Sequence, residues 1–362
     1  MMSVPLPPGV ITKIDKRRRS FLWTGEGDAN GASCLVAWDQ VRKCRDQGGL
    51  GIKDLAVQNI CLLLKLLHKL HSEIQTSWGA WVRRHICLAS LTGDLLGAHW
   101  DSIRGLLPLY QAITTVTVGD GQSTSFWQDV WLEDECFSDR FPALHSHCKR
   151  DDQSVAAIVN GGLREHLVSR LTTEAAVELA VLDGKLSQVL LTDDRDKRHS
   201  PLADKEGKLH MRDLYSLLKC MGATASSPVS TFWRSCAPPR VQFFAWLLVH
   251  ERIQCKVNLA RRKILPDDTC ELCGRCSETA VHLLFQCDFA ASFWRALRFV
   301  IPAALEAKDI RQLPRPAHVE SGHYNTLLLV CCWGLWKRRN GITFRQETMT
   351  LRQTLQACKR EA

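Results

Sequence analysis

The chain has 362 residues, 45% hydrophobic and 23% charged, with 47 Lys and Arg against 38 Asp and Glu for a formal net charge of +9. That apolar share excludes a wholly disordered chain, and the length provides for two or three domains at roughly 100–200 residues each. The positive balance favours polyanion partners without requiring them, while the 16 Cys, mostly single among apolar neighbours, are too sparse for a disulfide scaffold and read as reduced thiols.

The start, Met1 to Pro8, has no basic stretch leading into an apolar one, so no secretory signal is expected. The most apolar runs are 60–70, which carries Lys65, His68 and Lys69, and 324–336, which is shorter than the ~20 residues of a membrane helix. The expectation is an intracellular protein, nuclear or cytoplasmic, with no membrane partner. Basic Lys16-Arg17-Arg18-Arg19 precedes a Gly-rich stretch, Gly25–Gly31, that lacks the Gly-Lys-Ser/Thr ending of a phosphate loop and reads as a surface turn. Asp54 is placed to cap a helix from Leu55 to about His71. In it Ile60, Leu63, Leu64 and Leu67 fall at i, i+3, i+4 and i+7 and face a core, with His68 and His71 expected at the surface.

Val116-Thr117-Val118, the turn Gly119-Asp120-Gly121 and the run Ser125–Trp131 predict a small hairpin over 116–131. Phe126, Trp127 and Trp131 could stack on bases, but a small aromatic core is the stronger reading. Residues 150–228 are mixed, with a charge run from Asp193 to Arg198 and a soft linker from Gly222 to Pro228. A compact region follows from Val229 to Val300. It opens with Pro238-Pro239-Arg240 ahead of an almost wholly apolar helix, Val241 to Glu251, which predicts burial all round. After Pro302 and the Pro314–Pro316 linker, a last helix spans about Tyr324 to Arg339.

One segment carries metal chemistry. Cys270, Cys273, His282 and Cys287 form a Cys-x2-Cys-x8-His-x4-Cys pattern. Two thiolates separated by two residues can turn around one metal, and Gly274 relieves the backbone just after them. His282 and Cys287 are five residues apart, about 140° on an α-helix, so both can face one ion only if the helix stops before Cys287, with Asp288 capping the next one. Three sulfurs and one nitrogen suit a single tetrahedral, structural Zn²⁺, with no position left for a reactive water. Cys276, a further x2 step along, is an alternative ligand. Arg261, Arg262 and Lys263 are the densest positive patch nearby and either meet phosphates or form a solvated face.

Phe232-Trp233 through Trp294 resembles the zinc-binding domain of reverse transcriptases from non-LTR (LINE-type) retrotransposons, abundant in plants. The matching motifs are Pro238 to Leu247, Asn258 to Arg262, Cys270-Glu271-Leu272-Cys273-Gly274 and Glu278 to Cys287. The flanks, among them Gly48 to Ile52, Phe126 to Leu132 and Trp336 to Asn340, resemble segments following the polymerase core. The resemblance implies a post-polymerase connecting region over 1–150, an approach region over 151–228, the zinc-binding domain over 229–300 and a C-terminal linker with a basic helix over 301–362. The fold expected is mainly α: a helical zinc-binding module plus an α-rich N-terminal region with a small β-hairpin. The family's polymerase site needs an aromatic-x-Asp-Asp turn and further carboxylates. The pairs Asp151-Asp152, Asp193-Asp194 and Asp267-Asp268 do not supply it, and no downstream ribonuclease H domain is evident. The expectation is therefore a non-catalytic, zinc-stabilised, nucleic-acid-binding remnant of a retrotransposon polyprotein, either a fragment or a decayed element. Arg261, Arg262, Lys263 and Arg275 would contact template RNA or target DNA. The alternative is a structural or protein-interaction module whose partners are other polyprotein segments. Neither reading takes a small-molecule substrate.

Overall fold

The structure is a computed structural model that describes residues 4–27, 33–72, 76–220 and 230–361. The linker expected over Gly222–Pro228 lies outside the described residues, as do residues 28–31 of the Gly-rich stretch. The chain forms two compact units. One comprises Met1–Thr12 and Asp54–Met221, the other Lys13–Lys53 and Gly222–Ala362. The second includes the segment expected to be the zinc-binding domain, and it also takes in the expected C-terminal linker and basic helix together with residues 13–53. Among the described residues the architecture is mainly α with one small antiparallel strand pair. Among the described residues no helix is long and apolar enough to cross a membrane.

In the first unit, Asp54 caps the helix Leu55–His71 by accepting a hydrogen bond from the Ala56 amide at 3.1 Å. Leu63, Leu64, Leu67 and Leu70 enter a core shared with Tyr110 and with Leu214 and Tyr215 of the helix Met211–Cys220. His68 and His71 are not at the surface as expected: both are buried. Leu64, Leu67, His68 and His71 are themselves spaced i, i+3, i+4, i+7, so the core-facing stripe continues through the histidines. The His68 ring nitrogens are matched by the Tyr110 hydroxyl (3.0 Å) and the Gly207 carbonyl (2.7 Å), while those of His71 face the Leu67 and Leu88 carbonyls, to one of which its single N–H donates. Burial, reinforced by the charge of Arg198, pushes His71 down to about 3, so it is neutral.

A second core in this unit holds Phe126 and Trp127, packed edge to face at 5.0 Å, with Phe137 and Phe141. The aromatics of 126–131 are thus largely structural. Strand β1, Thr115–Thr117, pairs antiparallel with strand β2, Lys197–His199, with Thr115 opposite His199. This corrects the expected hairpin over 116–131, whose second strand was to be Ser125–Trp131. That segment instead supplies Asp129, which meets Arg198 of β2 in a two-pronged ion pair of 2.7 and 2.6 Å, fully desolvated on both sides. The turn after β1 is held by Asp196, which accepts from the amides of Gly119, Gly121 and Ser123 and the hydroxyls of Ser123 and Thr124. A Cβ on Gly119 would stand 2.2 Å from the Asp194 carbonyl, so the turn admits only glycine there. The charge run 193–198 is therefore the partner of the 119–129 loop.

The second unit is built around the helices Pro239–Val249, Asp288–Ala296, Ser321–Arg345 and Leu351–Glu361. Val241, Phe244, Leu284, Trp294 and Leu328 belong to one core. Trp246 stacks on Trp23 and donates its indole N–H to the Gly48 carbonyl at 2.8 Å, tying residues 13–53 to the Pro239–Val249 helix.

Candidate metal centre

The first arm of the Cys/His cluster is a narrow turn. Thr269 and Ser277 pair as an antiparallel bridge, and the Cys270 amide donates to the Cys276 carbonyl at 2.8 Å. The Gly274 amide returns to the Cys270 carbonyl at 2.8 Å, closing a loop around Cys270 and Cys273. Gly274 has φ +67°, a conformation that glycine reaches without a Cβ penalty. The Cys276 thiol is exposed and is not one of the clustered donors.

The second arm meets the x4 spacing with the expected stop before Cys287, and reaches that stop through a π-turn. Residues His282–Gln286 form a single π-turn, and the Cys287 amide bonds to the His282 carbonyl at 2.7 Å. An i→i+5 hydrogen bond places residues five apart one above the other, where an α-turn would rotate them away from each other. Cys287 is extended (φ −58°, ψ 143°) and occupies the cap position of the next helix. Asp288, expected as the cap, is instead its first residue.

One ligand atom from each of Cys270, Cys273, His282 and Cys287 can be chosen so that all lie within 4.8 Å of one another. The Cys273 Sγ to His282 Nε2 distance is 3.4 Å. Zinc bond lengths of about 2.3 Å to sulfur and 2.0–2.1 Å to nitrogen, at a tetrahedral angle, require about 3.6 Å. The donors therefore fit one tetrahedral Zn²⁺. Their protonation is divided. Burial and the neighbouring Cys270 push the Cys287 thiol up to about 12, and burial also raises Cys270. The amides of Arg275 and Cys276 hold Cys273 below the usual thiol value. Burial lowers His282, keeping a lone pair free on its ring. Crowded thiols resist ionisation together, and a dication among them removes that repulsion.

Residues outside the predicted set fix this loop. Glu278, between the two arms, is fully buried and accepts from Arg339 through Nη2 at 2.7 Å and Nε at 3.3 Å. It also accepts the Lys256 amide at 2.9 Å. Lys256 Nζ reaches Glu271 at 3.0 Å, and Glu271 accepts the Thr343 hydroxyl. Arg339 and Thr343 both lie on the helix Ser321–Arg345, so the loop is docked on that helix. No local pattern announces a partner 61 residues away.

The predicted phosphate contacts separate. The helix Lys256–Arg261 ends with the Lys263 amide bonded to the Ala260 carbonyl and the Ile264 amide to the Leu259 carbonyl, the paired bonds of a Schellman ending. Lys263 takes the left-handed position there, at φ +58°. Arg261 and Arg262 line a cavity of about 240 Å³ together with Arg252, which the sequence did not single out. Lys263 and Arg275 do not line it, and the exposed Arg275 is ion-paired with Asp288.

Residues 210–294 match the family model described as zinc-binding in reverse transcriptase, a span that contains the whole Cys/His cluster. A putative ribonuclease H protein of Arabidopsis thaliana is 24% identical over 375 residues, covering 96% of this chain and 58% of that protein. The chain thus spans little more than half the length of that relative. An uncharacterized mitochondrial protein of Arabidopsis thaliana is 30% identical over 129 residues, covering 34% of this chain and 83% of that protein.

Proposed function

The chain belongs to the family of that mitochondrial protein and carries a reverse-transcriptase-type zinc-binding segment, and from this premise we propose that it is a zinc-stabilised nucleic-acid-binding part of a retrotransposon polyprotein. The observation that carries the reading is the convergence of Cys270, Cys273, His282 and Cys287 within reach of one ion. With every coordination position filled by protein, one Zn²⁺ acts structurally and polarises no substrate. The thiolates it needs call for a reducing compartment, inside the cell. RNA or DNA phosphates meet Arg261 and Arg262 at their cavity, with Lys263 and Arg275 as separate contacts outside it. Titration of labelled RNA and DNA at several salt concentrations tests this. Binding should weaken with salt and on replacing Arg261, Arg262 and Lys263 by Gln, and binding untouched by that replacement overturns it.

A second reading, a structural or protein-interaction module, is favoured by the internal engagement of the loop: Glu278 with Arg339, Glu271 with Thr343, Arg275 with Asp288. Capture of a protein partner that survives nuclease treatment, without oligonucleotide binding at low salt, selects it. In both readings the chain binds rather than catalyses. Metal-dependent primer extension or nuclease activity by the purified chain refutes that part.

A further inference from the structure

The first unit has a basic cavity that the zinc-module reading does not use. Lys65 and Lys69 lie one turn apart, about 6 Å along the helix Leu55–His71. Strand β2 contributes Lys197 and His199, which alternation places on one face. A turn in which Asp204 accepts the Glu206 and Lys208 amides, both at 2.9 Å, presents Lys208. These side chains line a cavity of about 350 Å³ floored by His68 and Arg198.

The floor is already committed. Arg198 is neutralised by Asp129, and His68 spends both ring nitrogens on Tyr110 and Gly207. The rim is not neutral. Among the described residues Glu206 is the one carboxylate of the lining, and it pairs with Lys208 at 2.6 Å. Lys65 and Lys69 make no ion pair among the described residues.

We propose that this cavity is a second nucleic-acid contact, a groove that tracks the phosphate backbone of single-stranded RNA or DNA. A single small anion is a poorer match. The rim cations come from three separate elements spread along the cavity, and the helix end beside them is its C-terminus, whose partial charge is negative. A run of phosphates can meet the lysines in turn. Among the described residues the lining holds no Phe, Tyr or Trp, so bases are not stacked and the contact is indifferent to sequence. The inference shares the ligand class of the proposed function but none of its residues.

The full zinc-loaded chain is titrated by fluorescence anisotropy with labelled oligouridine, oligothymidine and a DNA duplex, between roughly 50 and 200 mM salt. Two variants are compared: Lys65→Gln/Lys69→Gln/Lys208→Gln, and Arg261→Gln/Arg262→Gln/Lys263→Gln. Single strands lose about 0.7 of salt slope per phosphate contact, so removing three lysines lowers the slope by about two and the affinity on the order of a hundredfold near 0.1 M salt. An unchanged melting temperature shows that the lysine variant is folded, and the Lys69→Gln/Lys208→Gln variant, with an intermediate slope, serves if it is not. Wild-type affinity and slope in the lysine variants overturn the inference, as does displacement of the oligonucleotide by poly-glutamate at equal charge. If only the arginine variant is unaffected, the proposed function loses its phosphate contacts and this groove stands. If only the lysine variant is unaffected, the reverse holds.

Discussion

Replacing Glu278 by Ala should be among the most damaging single changes in the second unit. The Glu278 side chain is fully buried and that of Arg339 is 2% exposed. Truncation removes both prongs of the ion pair and the acceptor of the Lys256 amide, and leaves the guanidinium uncompensated in the core. Breaking one side of such a pair costs about 3–5 kcal/mol. For a unit of this size each kcal/mol is worth roughly 2–4 °C in melting temperature, so a fall of about 10 °C is expected. Thermal melting of the zinc-loaded chain reads it, and competition with a metal chelator should show weaker zinc retention, since Glu278 positions both arms of the loop. Adding Arg339→Met should recover most of the loss, because the buried charge then goes with its partner. A loss under about 1 kcal/mol, or a double variant as damaged as the two single changes summed, would refute the reasoning.

Metal analysis of the purified chain should find one Zn²⁺, and Cys273→Ser should lose it and destabilise the second unit on urea unfolding; a variant keeping both metal and stability removes the zinc assignment. Zinc affinity measured against a chelator should climb with pH through neutrality, because the ion must displace the proton that burial keeps on Cys287. Without metal the sign reverses: a thiol raised in the fold favours the protonated native state, and that stability fades from about pH 9 upward. Lys263→Gly should be neutral or stabilising by up to about 1 kcal/mol, since the left-handed position costs a non-glycine residue about 1–2 kcal/mol and glycine's added chain entropy returns about 0.5–1; a clear loss of stability would contradict the cap. In the first unit, burial acts to raise Asp196, but the amides of Gly119 and Gly121 and the hydroxyls of Thr124 and Ser123 outweigh it and hold the carboxyl below its usual value. Its contribution is present above about pH 4 and lost in acid, and Asp196→Asn should destabilise the unit at pH 7 far more than at pH 3.

The ligand spacing, the Asp54 cap and the mainly helical character were legible because each depends on nearby residues. The helix after Pro239 could be placed to within two residues, since a proline start and an apolar run are local signals. What escaped depends on distant partners. Lys197–His199 has no strand signature; Arg198 is drawn to β1 by Asp129, 69 positions away. His68 and His71 looked polar, yet hydrogen bonds with Tyr110, the Gly207 carbonyl and one of the Leu67 and Leu88 carbonyls offset their burial. The x4 step between His282 and Cys287 foretold the stop before Cys287 but not the π-turn that leads into it, because the spacing constrains where the helix ends and not how its last turn is wound.

The order of the segments has a consequence during synthesis. Residues 13–53 complete a unit whose remainder begins only after position 221, and Gly48 awaits Trp246, 198 residues later. At about 5–20 residues per second the ribosome takes roughly 10–40 s to deliver that partner. Throughout that interval Val41, in the second unit's core in the finished fold, and Trp23, packed against that core, have no core to meet. Meanwhile the whole of 54–221 emerges and is free to fold. The first unit can therefore be finished while the second still lacks most of its chain, and a chain halted near position 230 would present residues 13–53 as a site for chaperones or proteases.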